Sequence, residues 1–127
     1  MAKFIESHIL VTVETQFIES NSMVELNKYF FAYTVTIKNQ GLQTVQLVSR
    51  HWIIQNSNKE SFEVKGQGVI GEQPVIEPGD SFSYTSGTEI DTPEGLMYGT
   101  YRMMTEDVKS FDTRIPKFIL SMPRTLH

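Results

Sequence analysis

The sequence predicts an all-β protein built as a two-sheet antiparallel sandwich. Apolar residues alternate with polar ones along most of the chain. Clusters of Gly, Pro and Asn cut this alternation into about seven or eight short runs, the spacing of sandwich strands. No stretch of about ten residues or more carries a 3.6-residue period. A period of two sends successive side chains to opposite faces, so each strand buries one face and wets the other. Packing two such sheets face to face gives the buried faces a common core.

The elements follow in order. Ile9, Val11, Val13, Thr15 and Phe17 share one face of a first strand. After the polar stretch 19–27, Tyr29, Phe31, Tyr33, Val35 and Ile37 share one face of a second. Asn39-Gln40-Gly41 is a turn, because Asn and Gly tolerate positive φ. A third strand spans about 45–55, with Val48, Trp52 and Ile54 on one side and Leu47 and Ile53 on the other. Residues 56–59 turn into a short strand around Phe62 and Val64, followed by a glycine-rich loop from Gly66 to Gly71. Glu77-Pro78-Gly79-Asp80 reads as a type II turn and Thr92-Pro93-Glu94-Gly95 as a type I turn. Phe82 and Tyr84 lie on the strand between them, and Met97, Gly99, Tyr101 and Met103 on the strand after. The last strand, 111–122, is broken or placed at an edge by Pro116, which cannot donate to a ladder.

Two features give the sandwich an immunoglobulin-like cast. Trp52 sits mid-strand where such domains bury a tryptophan, and the run 99–103 resembles the strand carrying a tyrosine corner. Plain core packing accounts for both. With 127 residues and no repeat or linker, residues 1–127 are expected to form one domain.

Composition narrows the function. The net charge is −4, and Lys28, Lys38, Lys59, Lys65, Arg102, Arg114 and Arg124 form no run. Duplex nucleic acid and anionic membranes call for a basic stripe, so neither is the expected partner. Absence of Cys favours a reducing compartment. No signal-like h-region and no run of about 18 apolar residues is present, so the expectation is a soluble cytoplasmic chain.

Gly66-Gln67-Gly68-Val69-Ile70-Gly71 is a G-x-G-x-x-G and also has P-loop glycine spacing. In both motifs glycines let backbone N–H groups approach a phosphate at a helix N-terminus. Here Glu72-Gln73-Pro74-Val75-Ile76-Glu77-Pro78 follows, which opens no helix and supplies no lysine. Two readings remain: an anion nest of bare N–H groups, or a tight inter-strand loop needing positive φ. Arg50 shares the face of Trp52 and would meet a carboxylate such as Glu72 or an anion held by the loop. His51 points to the other face, as a hydrogen-bonded structural residue or a ligand contact. No catalytic residue is assigned. His8, His51 and His127 show no metal-ligand spacing, so no cofactor is expected, and a hard-cation site built from distant carboxylates stays open.

Ser49-Arg50-His51-Trp52-Ile53-Ile54, the run 64–79, Tyr84-Thr85-Ser86-Gly87, the run 92–101 and the run 115–120 resemble the ApaG family, in order and spacing, over nearly the whole chain. The resemblance implies a fibronectin type III-like sandwich. It implies a short cytoplasmic bacterial protein linked to cobalt resistance, magnesium efflux and the diadenosine tetraphosphate pathway. It maps a suspected pyrophosphate-type ligand onto Gly66, Gly68 and Gly71. Related domains in certain F-box proteins and a DNA polymerase delta-interacting protein suggest protein interaction. The expected function is therefore a non-catalytic module binding another protein, with a nucleotide or pyrophosphate binder, or less readily a hydrolase, as the alternative. The candidate contacts are Gly66, Gln67, Gly68, Gly71, Arg50, His51 and Glu72.

Overall fold

The computed structural model describes the backbone of residues 2–6 and all of residues 8–123. Arg124 and His127 lie outside the described residues. Nine strands are present among them: β1 (Ala2–Glu6), β2 (Ile9–Phe17), β3 (Tyr29–Asn39), β4 (Val45–Asn56), β5 (Ser61–Gln67), β6 (Val75–Ile76), β7 (Ser81–Ile90), β8 (Glu94–Thr105) and β9 (Ser110–Ser121). They form two antiparallel sheets, β1-β2-β3-β7 and β5-β4-β8-β9, with β6 pairing the start of β4. Two 3₁₀ turns, Glu19–Asn21 and Val24–Leu26, fill the polar stretch between β2 and β3. β9 packs against β1 and β2, so β5 and β7 are the open edges at the opposite side of the sandwich.

The alternation read from the sequence is the burial pattern of β2 and β3: Ile9, Val11 and Val13, then Tyr29, Phe31, Tyr33, Val35 and Ile37, are buried. They meet Val45, Leu47, Trp52 and Ile54 of β4 and Met97, Tyr101, Met103, Ile115, Phe118 and Leu120 of β8 and β9. Trp52 is the hub, edge-on to Tyr33, Tyr101 and Phe118 with ring centroids 5.3, 6.2 and 5.8 Å away. Such contacts add about 0.5–1.5 kcal/mol each beyond area burial. Two buried asparagines organise opposite ends. Asn39 donates to the carbonyls of Gln43 and Ile76. Asn56 donates to Glu60 and Asp91 while accepting from the Asn58 and Glu60 amides.

Several local expectations are corrected. A β-bulge between Leu47 and Ser49 changes the phase of β4, so Leu47 joins Trp52 and Ile54 in the core and Val48 does not. Tyr101 makes no tyrosine corner: its hydroxyl pairs with the Tyr84 hydroxyl across the two sheets. The 91–93 bend already gives way to β8 at Glu94. β9 is continuous, and Pro116 lies in a bulge opposite Tyr98 on what is indeed an edge strand. The type II turn is as read, with Gly79 at φ 86° and the Asp80 amide donating to Glu77. Gly66 and Gln67 belong to β5, so the glycine loop proper starts at Gly68. β1 and β6 carry no sequence signal strong enough to be foreseen.

Candidate functional site

The glycine segment is a strand end followed by a two-residue hairpin. Val69 and Glu72 exchange both backbone hydrogen bonds, at 2.8 and 2.9 Å. Between them Ile70 and Gly71 sit at φ 40° and 78°, positive at both positions as a type I′ turn requires. The Gly68 amide donates to the Val48 carbonyl at 2.8 Å. A Cβ on Gly68 would lie 2.0 Å from the Glu72 carbonyl oxygen, so this glycine is dictated by backbone approach. The amides of Gly68, Val69 and Glu72 therefore point at protein carbonyls. Gly71 and the Glu72 side chain stand out in solvent, apart from the other candidates.

Arg50 and Gly66 face each other in the β4–β5 ladder. The guanidinium lies flat on Gly66, where an added Cβ would come within 2.8 Å of Nη1. Nη1 donates to the carbonyls of Gln67 and Gly68 at 3.1 and 2.9 Å. This replaces the expected pairing of Arg50 with Glu72. The pKa values of Tyr33, Tyr84 and Tyr101 are raised, foremost by burial, while the Arg50 charge pulls them down. Arg50, Gly66, Gln67 and Gly68 thus form one tight unit at the end of β5.

His51 projects to the outer face, where Nε2 meets the Glu63 carboxylate at 2.9 Å. Around it the ladder assembles Ser49, Lys65, Gln67, Thr100, Arg102 and Asp112 into a concavity of about 480 Å³ that also touches Arg50 and Gly66. Arg102 Nε donates to Asp112 at 3.0 Å. A second concavity of about 490 Å³ shares His51 and Thr100 and continues over Ile53, Tyr98, Arg114, Pro116 and Lys117. Among the described residues, no three His, Asp or Glu side chains converge as a metal-ligand set. No helix among them is long and apolar enough to cross a membrane.

The model of the ApaG domain matches residues 19–105. The chain belongs to the ApaG family. The protein ApaG of Nitrosospira multiformis is 49% identical over 127 residues, all of both chains. That of Dechloromonas aromatica is 54% identical over 112 residues, 88% of each chain. The crystal structure of a putative ApaA protein from Bordetella pertussis superposes with a TM-score of 0.89 at 42% identity, covering 91% of this chain and 94% of that one.

Within this ApaG-family chain, sequence reading missed Lys65, Tyr98, Thr100, Arg102, Asp112, Arg114 and Lys117. The cations are isolated in the sequence, yet Lys65, Arg102 and Arg114 share the outer face with His51 once the strands pair. The available signal was the non-core face of β8, with Tyr98, Thr100 and Arg102 at alternate positions. Its neighbours cannot be known before the register is known.

Proposed function

We propose that this ApaG-family chain is a non-catalytic module whose β5 edge docks a strand of another protein. The observation that carries this reading is the state of β5. It is seven residues long, unpaired on its outer side among the described residues and exposed along almost all of its length. Its core-facing side chains, Phe62 and Val64, are 52% and 39% exposed, an apolar stripe beside an open ladder. The Asn56 amide donates to Glu60 and the Gly68 amide to Val48. By antiparallel alternation, Phe62, Val64 and Gly66 bond inward to β4, so Ser61, Glu63 and Lys65 direct their N–H and C=O groups outward. A partner strand would take those groups and lay alternate apolar side chains beside Phe62 and Val64. Under this reading, the family's association with metal efflux and the diadenosine tetraphosphate pathway runs through a bound cytoplasmic protein rather than through turnover.

The test is in-cell photo-crosslinking from position 61, with position 85 on the other sheet as control. One protein captured from position 61 alone, and lost in Glu63→Pro, is the expected result. Proline there removes an outward donor without touching the β4 ladder. Equal capture from both positions, or capture indifferent to Glu63→Pro, would overturn the reading.

A second reading, a binder of phosphate-bearing small molecules, draws support from the cations beside Gly66 and Gln67 rather than from the loop amides. Arg50, Lys65 and Arg102 line one concavity.

A further inference from the structure

We propose that the outer face of the β5-β4-β8-β9 sheet seats an extended acidic segment of a protein partner, held by Lys65, Arg102, Arg114 and Lys117. The inference rests on the partner-binding reading but uses a surface separate from the β5 edge. Lys65, Arg102, Arg114 and Lys117 line the two joined concavities from the outer face, with the carboxylate of Asp112 among them and that of Glu63 beside His51. The chain as a whole carries −4. A local excess of positive charge on an acidic protein attracts an anionic partner and sets its register.

The shape favours a chain over a compact ligand. Every described residue lining the two concavities comes from β4, β5, β8 or β9, so among the described residues the sheet face is a floor with no loop closing over it. A small-molecule site typically encloses most of its ligand, and this one leaves a ligand open on one side. Four strands side by side span roughly 14 Å, the reach of about four extended residues. The groove is also uneven along its length. One end, at Lys65, Ser49 and Arg102, is polar and cationic. The other carries Ile53, Pro116 and Tyr98, which is 38% exposed, with Lys117 Nζ 5.5 Å from the Tyr98 ring centroid. That end takes an apolar or aromatic side chain with an acidic neighbour. Arg102 already holds Asp112, in a pair exposed on both sides. Such a pair is weak, so an incoming carboxylate replaces Asp112 at little cost.

The experiment is a ¹⁵N–¹H NMR titration of the full chain with a capped Glu-Glu-Phe-Glu-Glu peptide, its Lys-Lys-Phe-Lys-Lys counterpart and inorganic pyrophosphate. Saturable shifts at Ser49, His51, Lys65, Thr100 and Arg102 are expected with the acidic peptide alone. Affinity should drop about tenfold or more as salt rises from about 0.05 to 0.3 M. Lys65→Glu/Lys117→Glu should abolish the shifts, the neutral pair Lys65→Gln/Lys117→Gln should weaken them, and Phe62→Ser should leave them unchanged. Both double variants change exposed side chains, and their undisturbed amide dispersion reports the fold. Silence of the acidic peptide overturns the proposal. So does equal binding of the basic peptide, or pyrophosphate saturating the same amides as tightly as the peptide. Shifts confined to β5 and removed by Phe62→Ser overturn this proposal while sparing the edge-docking reading.

Discussion

The two sheets share one apolar core but finish their outer faces in opposite ways. On β1-β2-β3-β7 the described outer residues of β3 and β7 satisfy one another. Thr34 bonds Thr85 and Thr36 bonds Ser83, both at 2.8 Å, and the Phe30 ring covers Gly87. On β5-β4-β8-β9 the outer face holds the exposed Arg102–Asp112 ion pair, the His51–Glu63 contact, an exposed tyrosine and a groove between cations. Short hydroxyl ladders complete a solvent surface at low entropy cost. Long charged side chains in weak pairs keep their ability to exchange partners. One outer face is closed by its own hydroxyls, and the other keeps charged groups in contact with solvent.

One added methyl group in each sheet should separate the two most clearly. At Gly99, in the bulge of β8, a Cβ would fall 2.0 Å from the His51 carbonyl oxygen, which is backbone and cannot step aside. Gly99→Ala should cost about 3 kcal/mol in urea denaturation and distort the groove around His51. At Gly87 the atoms nearest the Cβ would be those of the Phe30 ring, at 2.3 Å, and the ring can swing outward. Gly87→Ala should cost about 1 kcal/mol or less.

The Tyr84–Tyr101 hydroxyl pair joins the two sheets through the core. Tyr101→Phe should cost about 1–2 kcal/mol by leaving the Tyr84 hydroxyl short of a partner, and Tyr84→Phe/Tyr101→Phe should recover part of that loss. Burial raises the pKa of Tyr33, Tyr84 and Tyr101. The unfolded phenols lose protons near pH ~10 while the folded ones keep them. The unfolded state then binds fewer protons, so stability present below that pH falls as pH rises through it. Melting temperature followed from pH 8 upward, with tyrosinate absorbance at 295 nm, should show these three ionising together with unfolding.

An effect of opposite sign lies under the charged sheet. Thr113 of β9 is fully buried, and its hydroxyl has no hydrogen-bond partner among the described residues. Thr113→Val should stabilise by about 1 kcal/mol, because a desolvated hydroxyl gives way to a methyl group of the same shape. A raised denaturation midpoint with an unchanged groove spectrum would show that the geometry of this face does not depend on the Thr113 hydroxyl.

Much of the fold was legible because burial writes itself into a period of two. β2, β3 and the core side of β8 could be read residue by residue. The phase of β4 could not, since the bulge at Val48 arises from how β8 pairs with it and leaves no mark on β4 alone. Of the candidate contacts, Arg50, Gly66, Gln67 and Gly68 do come together, but as an internal clasp of guanidinium on carbonyls. Gly71 and the Glu72 side chain fall away from it, toward solvent.

By itself the sequence determined the sandwich, its core face, the type II turn at 77–80 and the family, because these depend on local spacing and on side chains that must leave water. Only the tertiary structure decided which cations share a surface and which strand keeps an open edge. Charges separated by dozens of residues become neighbours solely through strand order and register. Those are set by the packing of the whole core, not by any segment of it.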